Sequence, residues 1–197
     1  MIEVEKKFRL QPGDEERLVA GAEHVSEKMM VDVYYDLPDY ALTKKDRWLR
    51  CRDDRWELKI AVHDRTITKR NEDQYDELED EDKIRQALGL TAMSDLLSDL
   101  TQVGYVPVAT IKTTRRKYRR GGFTIDLDTM DYGYEICEIE KMVQGREQVE
   151  QAAQEILQFA ERCGLSRGTV RGKVLEYLFR YAPGHYQALE EAWGGIL

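Results

Sequence analysis

Charged residues recur at a spacing of two along this chain: Glu3-x-Glu5-x-Lys7, Arg50-x-Arg52, Glu57-x-Lys59, Arg115-x-Lys117, Asp126-x-Asp128 and Glu138-x-Glu140. The intervening positions are often Val, Leu, Ile, Cys or Trp. Alternate side chains of a strand face the same way, so each run presents one charged and one apolar face. Carboxylates without His or Cys beside them suit a hard divalent cation such as Mg²⁺ or Mn²⁺. Arg and Lys suit phosphate oxygens, which Arg grips through two parallel N–H groups. Bases together with a divalent metal are the usual equipment for a polyphosphate.

Two arrangements account for such alternation. In one, the charged faces meet water and the apolar faces pack on helices. In the other, a closed barrel turns the charged faces inward, with acids on one wall and bases on another. The charges are blocked by sign, whereas a solvated face mixes signs because like neighbours repel. Asp126, Asp128, Glu138 and Glu140 are expected to sit close together, which asks for cations. Trp48 shares the charged face with Arg50 and Lys59, which suggests a stacking surface.

The elements that must position these residues follow from pattern. Strands are expected at about 2–9, 29–35, 47–52, 55–61, 106–120, 123–129 and 133–143, and another within 66–78. Helices are expected at 81–89, 94–103, along a stripe from Val149 to Cys163 that stops at Gly164, and at 173–181 and 184–193, with Pro183 between the last two. Asp53-Asp54 and Gly121-Gly122 read as two-residue hairpin turns. The first turn sets Arg52 opposite Arg55, Arg50 opposite Glu57 and Trp48 opposite Lys59. The second sets Lys117 opposite Asp126 and Arg115 opposite Asp128. The class is α+β, mostly antiparallel, in a single domain over 1–197.

Bulk properties exclude other classes. The 197 residues are 42% hydrophobic and 35% charged, with a formal net charge of -8. That balance argues against a whole-surface nucleic-acid or membrane binder. No apolar run reaches the roughly 18 residues of a membrane span, and Glu3, Glu5, Lys6 and Lys7 interrupt any signal-peptide core. Cys51, Cys137 and Cys163 lack metal-type spacing and fit free thiols in a reducing cytoplasm. His24, His63 and His185 are scattered, so a zinc site is not expected.

"EVEKK" at 3–7 carries the Glu-x-Glu-x-Lys signature, and the chain resembles the CYTH superfamily, the triphosphate tunnel metalloenzymes. The blocks "VYYDLPDYAL", "DRWLRCR", "RWELKI", "TIDLDTMDYGYEICEIE" and "GKVLEYLFRYAPGHYQAL" extend the likeness over almost the whole chain, toward the animal-type thiamine triphosphatases. The resemblance implies a closed antiparallel β-barrel with a charged lumen and helices outside. It implies Glu3, Glu5, Asp128, Glu138 and Glu140 as metal ligands, with Asp126 behind them. It implies Lys7, Arg50, Arg52, Lys59, Arg115 and Lys173 as triphosphate ligands, with Glu57 and Glu77 orienting bases or metal water. Trp48 matches a tryptophan that stacks on the thiamine base, and Tyr34 a tunnel tyrosine. Lys7, Lys59, Glu57 and Glu140 fall to the catalytic group.

Each assignment has a plainer counterpart. Lys173 could be a surface lysine at a helix start, and a register slip would favour Arg116 over Arg115. The basic run 115–120 could be a nucleic-acid patch, and the acidic run 72–82 a solvated edge. The segment "HDRTITKRNEDQ" at 63–74 departs from the resemblance, and Cys51 departs on the outward parity. The implied function is metal-dependent hydrolysis of thiamine triphosphate to thiamine diphosphate and phosphate, with Mg²⁺ or Mn²⁺, in a cytoplasmic monomer that binds neither nucleic acid nor membrane. The alternatives are a broader tripolyphosphatase or nucleoside triphosphatase, then an adenylate cyclase or a non-catalytic polyphosphate-binding domain.

Overall fold

The computed structural model of the chain describes residues 2–61, 75–166, 168 and 170–195. In chain order it runs β1 (Ile2–Phe8), α1 (Asp14–Val19), β2 (Glu23–Asp36), a 3₁₀ turn (Thr43–Lys45), β3 (Arg47–Arg52), β4 (Arg55–Ala61), β5 (Tyr75–Leu78), α2 (Glu81–Leu88) and α3 (Leu96–Gln102). It continues with β6 (Val106–Arg120), β7 (Phe123–Met130), β8 (Glu135–Val143), a 3₁₀ turn (Arg146–Gln148), α4 (Val149–Arg162), α5 (Lys173–Tyr181) and α6 (Pro183–Ala192). The strands form one sheet in the order β1-β8-β7-β6-β2-β3-β4-β5. The class is the expected one: α+β, an eight-stranded antiparallel barrel-type sheet with helices on its apolar side.

Two short turns fix the register. Asp53 and Asp54 have φ of 46° and 64°, and Gly121 and Gly122 have 59° and 85°. A two-residue turn with positive φ at both positions matches the twist of the strands it joins. Arg50 therefore opposes Glu57 and Trp48 opposes Lys59. In the second hairpin Arg115 opposes Asp128 and Lys117 opposes Asp126.

The chain divides into two compact units, and β2, β6 and α5 are each shared between them. The first unit holds residues 2–30 and 112–176 among those described. Its strands turn Val4, Phe8, Phe123, Ile125, Leu127, Cys137 and Ile139 into a buried core with Ala152, Ala153, Ile156, Phe159 and Ala160 of α4. The apolar stripe of α4 recurs at helical spacing, so one face is buried along its whole length. Each fully buried Ile or Phe stabilises the unit by roughly 1.5–3 kcal/mol. Because that core occupies one parity of β1, β7 and β8, Glu3, Glu5, Lys7, Asp126, Asp128, Glu138 and Glu140 fall on the other.

The second unit holds residues 31–61, 75–111 and 177–195 among those described. Leu49 and Leu58 pack with Leu42, Ile84, Leu96, Leu100 and Tyr105. Asp80 and Asp95 cap α2 and α3 by accepting from the Lys83 and Ser98 amides. Buried Arg85 and Asp99 join the two helices at 2.9 Å.

The pattern misses α1 and the first half of β2. α1 has only six residues, and Asp14 and Leu18 are its buried ones. The outer end of β2 is largely exposed on both parities from Glu23 to Met29, so no alternation marks it. β8 starts at Glu135, two residues later than expected. Of the strand expected within 66–78, Tyr75–Leu78 is β5, and 66–74 lies outside the described residues.

Candidate functional site

In the first unit, strand register stacks carboxylates beside one another. Glu5 opposes Glu140 and Lys7 opposes Glu138. Asp126 in turn opposes Glu138. Like charges set opposite one another are destabilising, so each acid recruits a cation. Arg115 donates to Asp128 through Nε and Nη2, both at 2.6 Å, to Glu138 at 2.7 Å, and to Asp126. Lys117 lies 3.0 Å from Asp126 and 3.9 Å from Glu140, and Lys7 bonds Glu5. Lys173 is buried, and its Nζ lies 3.5 Å from Thr113 Oγ1. Tyr132 and Tyr134 donate to the carbonyls of Lys173 and Arg171 at 2.7 and 2.8 Å, which fixes the approach to α5.

The acids also crowd one another. Glu3, Glu5 and Glu140 offer oxygens within 4.8 Å of one another, and so do Asp126, Glu138 and Glu140. Glu140 belongs to both triads. Burial, with Asp126, Glu3 and Glu138 alongside, pushes its carboxyl up to about 9, and Lys117 offsets only part of this. Asp126 Oδ1 is buried without a hydrogen-bond partner among the described residues. An unsatisfied buried oxygen beside an all-oxygen donor set fits a hard divalent cation. The residues present therefore fit the metal that the family resemblance implies.

The expected acids do not all converge. Glu3, Glu5, Glu138 and Glu140 come together, joined by Asp126. Asp128 lies in neither triad, because Arg115 directly opposite takes both its oxygens. The Gly-Gly hairpin register carries that signal in the sequence. Arg116 turns to the other face and pairs with Glu15, so no slip has occurred.

In the second unit, Arg50 donates to Glu57 at 2.8 Å and lies 3.8 Å from Asp32. Its Nε is buried with no partner among the described residues. Arg52 grips Asp32 through Nε and Nη2 at 2.6 and 3.1 Å. Asp32 is fully buried and was missed from the sequence, although it shares parity with Tyr34 and opposes Arg52. Lys59 bonds Glu77 and lies 3.9 Å from Glu57. Burial opposes ionisation of Glu57, but Arg50 and Lys59 outweigh it and hold the carboxyl below its usual range. Trp48 donates from Nε1 to Asp46 at 2.8 Å and meets Tyr34 edge-on at 6.4 Å.

Clustered carboxylates beside guanidinium and ammonium groups, on one face of an antiparallel sheet, define a protein equipped for a divalent metal and a polyphosphate. The CYTH domain model matches residues 1–172. Human thiamine-triphosphatase is 33% identical over 97% of this chain and 90% of its own length. Among solved structures, PH1819 of Pyrococcus horikoshii OT3 superposes with a TM-score of 0.64 at 23% identity, covering 90% of this chain and 98% of that one. HpAC1 of Hippeastrum, described as having a dominant triphosphatase activity, gives 0.58 at 18% identity over 92% and 95%. The chain belongs to the CYTH family. It is an enzyme, a hydrolase of phosphoanhydride bonds. No helix among the described residues is long and apolar enough to cross a membrane.

Proposed function

We propose that the chain hydrolyses thiamine triphosphate to thiamine diphosphate and phosphate, with Mg²⁺ or Mn²⁺, as a cytoplasmic monomer in which residues 1–197 act as one domain. The observation that supports this most is the pair of oxygen-only triads sharing Glu140, flanked by Lys7 and Arg115. Glu3, Glu5, Asp126, Glu138 and Glu140 hold the cation. Asp128 joins them once Arg115 turns to phosphate. A bound divalent cation supplies charge neutralisation at phosphoryl oxygens and acidifies water in its shell.

Lys7, Arg50, Arg52, Lys59 and Arg115 exchange their carboxylate partners for phosphate oxygens, Lys173 joins them from beside Thr113, and Glu57 and Glu77 set the direction of Arg50 and Lys59. Lys7 and Lys59 neutralise charge that develops on the transferred phosphoryl group and the leaving diphosphate. A water oxygen attacks the terminal phosphorus, the anhydride bond breaks toward the diphosphate, and Glu57 or Glu140 takes the proton of the water. Tyr34 and Trp48 receive the organic group.

A tripolyphosphatase or nucleoside triphosphatase would use the same charges. The low exposure of Trp48, 7%, favours the tripolyphosphatase over either organic substrate, since bare tripolyphosphate needs no ring face. Replacing Glu138 and Glu140 singly by Gln tests the acid assignment by phosphate release from thiamine triphosphate. Both variants are expected to lose activity, and wild-type turnover in both would refute it.

A further inference from the structure

Trp48 lies in the second unit, on β3. Its indole is fixed from three sides. Asp46 ends the 3₁₀ turn at Thr43–Lys45 with a left-handed φ of 56°. Its buried Oδ1 accepts from Trp48 Nε1 at 2.8 Å and from the Tyr75 hydroxyl at 2.9 Å. Trp193, just past α6, meets the Trp48 ring at 6.2 Å and 74°. Tyr34 meets it at 6.4 Å and 89°. Edge-to-face pairs of this kind prefer one mutual orientation.

The supports of Trp48 are themselves fastened. One oxygen of Asp36 accepts from the amides of Leu37 and Leu42, at 2.7 and 2.9 Å. The other accepts from the Thr43 amide at 2.9 Å and the Thr43 hydroxyl at 2.7 Å. A hydroxyl has one proton to give. Thr43 Oγ1 therefore receives from His185 Nε2, 2.8 Å away. His185 stacks on Tyr40 at 3.8 Å and 7°. At the far end of α6, Trp193 donates from Nε1 to the Lys44 carbonyl at 3.0 Å. α6 is thus pinned to the same turn near its start and just beyond its end, and that turn carries Asp46.

The geometry points to Asp46 and Trp193 as positioning residues that set the Trp48 indole, and through it the discrimination between an organic triphosphate and bare tripolyphosphate. This rests on the reading of Trp48 as the surface for the organic group. Neither residue needs to touch substrate. Each acts by holding the ring in one rotamer.

The test compares kcat and KM for thiamine triphosphate and tripolyphosphate in W48A, D46A, D46N, W193L and W193F, together with the indole N–H cross-peak of Trp48, assigned as the one missing from W48A. D46A and W193L are expected to raise KM for thiamine triphosphate about tenfold, the size of one lost hydrogen bond or aromatic pair, with kcat and the tripolyphosphate KM within about twofold. D46N keeps an acceptor and W193F keeps a ring edge, so both stay close to wild type. The Trp48 cross-peak moves in D46A and W193L, and if W193L fails to fold the contrast of D46A with D46N carries the test. If W48A is selective while D46A and W193L are not, this inference falls and the stacking reading stands. A lower KM for thiamine triphosphate in W193L makes Trp193 an obstruction and also overturns it. An unmoved Trp48 cross-peak in both variants overturns it whatever the kinetics. If W48A affects both substrates equally, the stacking reading fails and this inference fails with it.

Discussion

Replacing Glu140 by Gln should stabilise the metal-free protein while abolishing its activity. An ordinary Glu carboxyl ionises near 4.5, and in the folded protein Glu140 is pushed up to about 9 by burial and by Asp126, Glu3 and Glu138. Between those values the folded state carries a proton that the unfolded chain lacks. Stability therefore falls as pH rises through this window, by about 1.4 kcal/mol per unit. At pH 7 the cost is roughly 3 kcal/mol, and at pH 5 it is under about 1 kcal/mol. Gln is a neutral isostere that bears no such cost. In urea unfolding with a chelator present, E140Q should exceed wild type by about 2–3 kcal/mol more at pH 7 than at pH 5. The coupling to function is direct: the strain that weakens the empty protein is the charge a cation would neutralise. An E140Q–wild-type difference that stays constant from pH 5 to pH 8 would refute the reasoning, because Glu140 would then ionise like any surface carboxylate.

Two further outcomes follow from other buried charges. Burial lowers the pKa of His185 to about 4, against the pull of Asp36, so its stabilising effect is complete above its ordinary value of 6.5 and is lost as pH falls toward 4. Wild type should lose about 2 kcal/mol between pH 7 and pH 5 that H185Q does not lose, measured as the difference of two urea titrations. Arg115 neutralises Asp126, Asp128 and Glu138. R115M should therefore lower stability by about 3–5 kcal/mol in chelator. Added Mn²⁺ should recover part of the loss in thermal unfolding, and no recovery would count against a cation site at these acids.

Much of this was legible from alternation and two turns. Asp53-Asp54 and Gly121-Gly122 force their residues into positive φ, and that alone set the observed pairs Arg50 with Glu57 and Arg115 with Asp128. The apolar parity of β1, β7 and β8 has its partner in α4, whereas the signs expected in separate blocks interleave, with Arg115 opposite Asp128 and Lys7 opposite Glu138. What was illegible depends on tertiary neighbours. Asp32 lies within β2, and only the approach of Arg52 shows why it is buried. Lys173 has the sequence of a surface helix start, and Tyr132 and Tyr134 bring it inside. Asp126 and Asp128 share a parity, and the neighbour across the hairpin decides which of them Arg115 occupies on both oxygens. His185 gave no signal, since its partners Thr43 and Tyr40 lie far away in the chain.

Metal-dependent hydrolysis of thiamine triphosphate by this chain is decided by one panel of phosphate release, with thiamine triphosphate, tripolyphosphate and ATP each assayed in Mg²⁺, Mn²⁺ and chelator. Release is expected from thiamine triphosphate in either metal, with none in chelator and lower kcat/KM for the other two substrates. Equal or faster release from tripolyphosphate or ATP, or undiminished release in chelator, would contradict it.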